Sequence, residues 1–267
     1  MIECLHLKLR HFSMFDQPLF KQLLARHKQR YRAQSFIKNE ITQRLLDKLS
    51  FIKLEPRLIF LEGVDSTEQE KLRQLYPNAR LSDRLADDEE CDLIISNCKI
   101  HQAASLAKTL TDWHQRLRPE GAVVFASFGS GSLQEIKKAW QFSDGMPHIN
   151  QMLDMRDVGD LLVREQFKTP VMDAETLSLQ YDDLETLWQD IRQLNEPLSD
   201  TKMRKALTGK NRWKNFCNNL HTKGLVVSYE IFYGYGYKAK ESMARKLTPN
   251  EALISFEQLR SAIKNRT

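Results

Sequence analysis

With 267 residues, 41% of them hydrophobic, the chain can bury a sizeable core, as one large domain or one domain with a smaller lid. Its longest apolar runs, around "GAVVFASF" and "LVVSYEIFYGYGY", fall far short of the ~20 residues a membrane helix requires, which excludes a helical bilayer span. The net charge of +5, from 40 basic and 35 acidic residues, is a mild excess whose distribution says more than its sum.

The N-terminal stretch "MIECLHLKLRHFSMF" has no apolar region followed by a small-residue cleavage site, so a cytoplasmic protein is expected. Residues 17 to 50 read as helical, with Ile37, Ile41, Leu45 and Leu49 recurring every four residues as one apolar stripe. From residue 57 strands alternate with helices. "RLIFL" leads to a helix from about Ser66 to Tyr76, announced by Asp65 and Ser66 as N-cap residues with Glu68 and Gln69 three positions after each. "CDLIISN" is the next strand, followed by a helix carrying Leu106, Leu110, Trp113 and Leu117 on one face. Pro119 and Gly121 end that helix and start the strand "GAVVFASF", and Leu133, Ile136 and Trp140 mark another helix. This alternation predicts a parallel α/β sheet with right-handed crossovers. After residue 141 come a loop, a helix around Met155 to Glu165, a strand "TLSLQY" and a helix around Leu184 to Leu194. A polar link at Asn195 to Asp200 leads to further helices. "LVVSYEIFYGYGYK" is a strong strand, and a last helix is expected from Pro249 to Lys264.

Cys4, Cys91, Cys98 and Cys217 show neither CxxC spacing nor clustering with histidines, so free thiols and no metal site are expected. Two basic clusters stand out: Lys21, Arg26, Lys28, Arg30 and Arg32, then Lys202, Arg204, Lys205, Lys210, Arg212 and Lys214. Charge runs of this kind are most often solvated helix faces. Their functional reading is an acidic partner, with Arg26, Arg30, Arg204 and Lys205 as the candidate contacts. Stacking aromatics do not interleave the basic residues in a repeated way, which argues against nucleic acid.

Several stretches together resemble one family, the class I methyltransferases that O-methylate malonyl-acyl carrier protein in biotin synthesis (BioC). They are "SNCKIHQAASLAKTLTDWHQRLRPEGAVVFASFGSGSLQEIKKAW", "PHINQMLDMRDVGDLLVREQFKTPVMDAE", "LTGKNRWK" followed by "SYEIFYG", and the N-terminal "FIKNEITQRLLDKL". The similarity runs to about residue 240, and a mitochondrial branch of complex I assembly factors is similar over the same segments. The resemblance implies a Rossmann-like class I methyltransferase sheet with an N-terminal helical segment (1–56), an α/β domain (57–240) and a C-terminal helix (241–267). A helical lid is inserted at about 141–170 and 195–222. It also implies S-adenosylmethionine as cofactor, held near Glu62, Gly63, Val64 and Asn97. His101, His148, Asn150, Tyr229 and Tyr233 are then substrate or lid candidates, and an acyl carrier protein or an active paralogue is the partner.

Three departures from that pattern bear on activity. The first strand of such enzymes ends in an acidic residue and a glycine-rich loop, so that the cofactor approaches bare backbone. Here the loop reads Glu62, Gly63, Val64, Asp65, with one glycine where the pattern has about three, and a β-branched residue beside it. As a strand–turn–helix with a good cap it needs no ligand. Second, only 31 positions separate Leu61 from Asp92, while one βαβ unit takes roughly 30 residues and the family fold places two more strands there. A β–α–β segment is therefore expected to be missing, and with it the carboxylate that holds the ribose hydroxyls; Asp83 is a displaced substitute that nothing in the spacing requires. Third, Gln102 stands where relatives often have tryptophan, although Asn97 and His101 match. His101 is a candidate for a substrate carboxyl, with a surface or capping role as the commoner fate of such a histidine. These departures favour a degenerate, catalytically impaired homologue. A working S-adenosylmethionine-dependent enzyme and a non-catalytic interaction or assembly protein are the alternatives.

Overall fold

The computed structural model describes residues 16–30, 35–221 and 224–240. The expected helix at Pro249 to Lys264, and Cys4, lie outside the described residues. The helical region begins as α1 (Gln17–Arg30) and α2 (Phe36–Leu49). Ser35 separates them as an N-cap whose hydroxyl accepts from the Lys38 amide. The apolar stripe of α2 is its buried face: Ile37, Ile41, Leu45 and Leu49 are all inaccessible to solvent.

Next come β1 (Leu58–Glu62), α3 (Ser66–Leu75), β2 (Arg80–Ser82), β3 (Cys91–Asn97), a single 3-10 turn (Ile100–Gln102), α4 (Leu106–Arg116) and β4 (Leu117–Phe128). The chain continues with α5 (Gln134–Gln141), α6 (Met155–Arg164), β5 (Lys168–Gln180), α7 (Leu184–Gln193), α8 (Lys210–His221) and β6 (Val226–Tyr237). Leu117 opens β4 instead of closing the helix face, and the strand expected at "TLSLQY" is the second half of a 13-residue strand.

The strands form one six-stranded sheet in the order β2-β1-β3-β4-β6-β5. The first four are mutually parallel, and β6 runs antiparallel to both β4 and β5. The parallel α/β sheet read from the sequence is thus extended by an antiparallel pair that contains the aromatic last strand. Between Tyr76 and Cys91 the chain has one strand of three residues, where the family layout places two. This is a Rossmann-like class I methyltransferase sheet shortened at its β2 edge.

Side-chain alternation explains why both faces are covered. Along β4, Ala122, Val124, Ala126 and Phe128 face α2, α5, α7 and α8, while Val123 and Phe125 face α4 and α6. Gly234 in β6 is where one face closes: a side chain there would meet the Phe125 ring at 2.1 Å. The outer strand β5 carries Lys168, Pro170, Asp173 and Glu175, a composition that discourages further strand addition. Among the described residues no helix is long and apolar enough to cross a membrane.

Candidate functional site

The turn after β1 is held from three sides. Gly63 has φ +70°, and a Cβ on it would meet the Asn97 carbonyl oxygen at 2.2 Å and Lys99 Cγ at 2.8 Å. The one glycine of the loop is therefore required by backbone sterics alone. Asp65 then caps α3: its carboxylate accepts from the Glu68 amide at 2.8 Å, and Glu68 accepts from the Asp65 amide at 2.7 Å. Val64 packs against the hydrophobic core, and the residue that covers Gly63 is Lys99. Asn97 also turns inward, donating to Thr42, which bonds in turn to the buried Glu68.

Two neighbouring open clefts, about 470 and 440 Å³, lie at the C-terminal ends of β1 and β2 and share Phe60, Glu62, Asp83 and Thr109. Of the four cofactor candidates, Glu62 and Gly63 line this region. Burial pushes the Glu62 carboxyl up, against the opposing pull of Ser96, Trp113 and the Lys99 charge. Asp83 is a carboxylate lining this cleft. Phe60 pairs with Ser82, so Asp83 follows directly at the end of the strand beside β1. The shortening removes a strand beyond β2, at the sheet edge, and leaves the acidic end of β2 in place.

A further, partly open cavity of about 240 Å³ lies elsewhere in the fold. His148, Asn150 and Tyr229 line it together with Phe128, Trp188 and Glu196. His148 stacks on Trp140 with ring centroids 3.7 Å apart and contacts Asp144 at 3.0 Å. Asn150 donates to the Pro197 carbonyl and accepts from the Ser199 amide, each at 2.8 Å, which fixes the link at 195–200. Tyr233 stands elsewhere, donating to Glu175 at 2.6 Å beneath the Lys48 ammonium.

His101 is not a surface residue. It is 3% exposed, its Nδ1 lies 3.1 Å from Ser127 Oγ, and its Nε2 lies 3.1 Å from Glu196 Oε2. Glu196 Oε1 also accepts from Lys38 Nζ at 3.0 Å and from Gln102 Nε2 at 2.7 Å. Burial alone would raise the Glu196 carboxyl, but the charges of Lys38 and His101 and their hydrogen bonds outweigh it and hold it down to about 2. Lys38 is raised in turn, because Glu196 overcomes its own burial cost. Lys99 Nζ donates to Gln102 at 3.0 Å, so one polar chain runs from the cleft at Gly63 to the cavity lined by Glu196. Sequence reasoning missed Lys38 and Glu196, which are 158 positions apart, and no local pattern pairs them.

Of the candidate partner contacts, Arg26 and Lys205 are exposed. The Arg204 Nε is buried, and the Arg30 side chain lies outside the described residues. The two basic segments are tied together where the Asp16 amide, just before α1, donates to the Ser199 carbonyl at 2.9 Å. Cys91, Cys98 and Cys217 are free, and the described residues contain no group of three or more His, Cys, Asp or Glu able to hold a metal.

No family profile matches the chain. Among curated proteins, it is 27% identical to a malonyl-[acyl-carrier protein] O-methyltransferase of Gallionella capsiferriformans, over 84% of this chain and 92% of the relative. It is 31% identical to the protein of the same name from Nitrosospira multiformis, over 68% and 61% respectively. The human mitochondrial protein named arginine-hydroxylase NDUFAF5 is 26% identical over 63% of this chain and 52% of its own. Solved structures that resemble it include YcgJ from Bacillus subtilis, at 12% identity and TM-score 0.47 over 75% of this chain and 99% of that one. By sequence the chain is similar to the malonyl-[acyl-carrier protein] O-methyltransferases, and its sheet has the class I methyltransferase arrangement.

Proposed function

We propose that this protein is a methyltransferase-fold member of the malonyl-acyl carrier protein line whose S-adenosylmethionine site is impaired. The observation that carries the reading is Lys99. Its side chain lies over Gly63, the one stretch of bare backbone in the turn, and is held there by a hydrogen bond to Gln102. A methionyl group approaching that backbone meets an occupied space and a fixed cation, so the residues present do not fit the cofactor in this arrangement. What remains is the fold and two basic segments, joined by backbone at Asp16 and Ser199, whose exposed Arg26 and Lys205 favour an acidic carrier protein as partner.

Isothermal titration with S-adenosylmethionine tests this directly. Binding weaker than the micromolar range, tightened by Lys99→Ala, is the expected result. A low-micromolar constant for the unaltered protein, or cofactor retained through purification, overturns it.

Asp83 favours a second reading, a working enzyme. It places a carboxylate at the end of β2 in the same cleft as Glu62, suited to accept from vicinal hydroxyls. Methyl transfer to a carboxylate needs alignment more than a strong base, so displacement of one lysine side chain would suffice. Turnover of malonyl-acyl carrier protein to its methyl ester, read by mass spectrometry, separates the two.

A further inference from the structure

The stretch that leads into α8 carries positive charge without interruption. From Thr201 to Tyr229 the sequence contains no aspartate or glutamate, while Lys202, Arg204, Lys205, Lys210, Arg212 and Lys214 fall in its first half. Lys210 and Lys214 lie one turn apart on the outer face of α8, both exposed, and among the described residues neither forms an ion pair. The inner face of that helix is committed elsewhere: Phe216 and Leu220 are buried, and Phe216 stacks on Trp140 of α5 at 4.2 Å.

Beside these charges stand apolar side chains that the core does not use. Leu207, three residues before Lys210, is 94% exposed, and Phe142, at the end of α5, is 79% exposed. Trp213 is 40% exposed, although its ring also meets Trp140 and Phe216. Of the nine exposed large hydrophobic residues among those described, these three and Met146 belong to α5, α8 and the segments flanking them. The Trp140–Trp213 contact joins the two helices, so exposed apolar surface concentrates around one helix pair instead of being scattered singly.

We infer that this corner of the fold, Leu207, Trp213 and Phe142 with Lys210 and Lys214, docks on a membrane surface rich in anionic phospholipid. Docking of this kind needs no spanning helix, because apolar tips enter the headgroup boundary while ammonium groups meet lipid phosphates. Tryptophan suits that boundary, having an apolar body and a polar N–H edge. A second copy of the chain is a poorer occupant, since it would bring like charge against like. Charge complementarity already accounts for a carrier protein at Arg26 and Lys205, without any exposed leucine. The inference goes beyond the carrier-protein reading, and its primary test contains lipid and no protein partner, so each can fail without the other.

The experiment is co-sedimentation of the full chain with vesicles of phosphatidylcholine and phosphatidylglycerol in equal parts, beside vesicles of phosphatidylcholine alone. Binding to the anionic vesicles only is expected. Lys210→Glu with Lys214→Glu should abolish it, and Leu207→Ser should weaken it about tenfold, the scale of one leucine leaving an apolar environment. Lys53→Glu with Lys108→Glu makes the same change in net charge at exposed positions elsewhere and should alter binding little. Where the Lys210 and Lys214 glutamate pair melts below the parent, Lys210→Gln with Lys214→Gln takes its place and should show the same direction of loss. Equal binding to both vesicles, binding to neither, full binding in Leu207→Ser, or an equal loss in the Lys53 and Lys108 pair would overturn the inference. Failure to bind vesicles, together with loss of carrier-protein binding in the Lys210 and Lys214 pair, would assign the patch to the carrier protein instead.

Discussion

Glu62 and Asp83 stand at the C-terminal ends of neighbouring parallel strands and line the same cleft, although 20 residues separate them in the chain. The pairing of Phe60 with Ser82 sets this relationship, and it survives the loss of the strand beyond. Its consequence is specific to the cofactor. If Lys99 is what obstructs the cleft, Lys99→Ala should tighten S-adenosylmethionine by about tenfold, the equivalent of ~1.4 kcal/mol. Adding Asp83→Asn should remove the gain. Titration calorimetry on the three proteins checks both steps, and an unchanged constant in Lys99→Ala would locate the impairment elsewhere.

Gly63→Ala should destabilise the fold with or without a ligand. The substitution asks alanine to adopt φ +70° and to approach the Asn97 carbonyl at 2.2 Å. A cost of about 1–3 kcal/mol is expected from the backbone alone. Urea unfolding measures it, and a variant as stable as the parent would show that the turn relaxes freely.

Gly234→Ala should be at least as harmful, through packing. Its Cβ would enter the ring of Phe125, which is wholly buried between β4 and α4. Overpacking of this kind costs about 1–3 kcal/mol. Phe125→Leu in the same background should restore part of the loss in thermal melts, because it removes the atoms that clash.

The Glu196 cluster gives a pH dependence with a definite sign. Its carboxyl is held down to about 2 from an ordinary value near 4.5, so the stability it contributes is full above about 4.5 and fades as pH falls toward 2. Lys38 is raised, so its share is full below its ordinary value and is lost only at strongly alkaline pH. Lys38→Met should cost about 3–5 kcal/mol at neutral pH, because it leaves the Glu196 charge buried with fewer partners. Glu196→Gln should flatten the acid limb of the stability curve. Urea midpoints measured from pH 7 to pH 3 test both, and an acid limb unchanged in Glu196→Gln would count against the assignment.

Binding of an acyl carrier protein should weaken with salt, since exposed charges act through long-range attraction that ions screen. Charge reversal at Arg26 and Lys205, both exposed, should reduce the association rate and leave the melting temperature nearly unchanged. Arg204 belongs in a separate variant, because its buried Nε makes reversal there a stability change as well. Surface plasmon resonance at two ionic strengths distinguishes these outcomes.

The sequence by itself determined the alternation of strands and helices, the capping box at Asp65, the buried stripe of α2 and the shortened segment between β1 and β3. All of these rest on periodicity, local capping or chain length, which act within a few residues and can be read along a line. It also carried the resemblance to the malonyl-[acyl-carrier protein] O-methyltransferases, through motifs spread over most of the chain. Only the tertiary structure decided which end of the shortened segment survived, because strand neighbours are set by sheet pairing and not by spacing. It likewise turned Asn97 inward, put Lys99 over Gly63, and joined Lys38, His101 and Gln102 to Glu196. Buried charges are tolerated only where partners meet them, and those partners come from elements that fold together from distant parts of the chain.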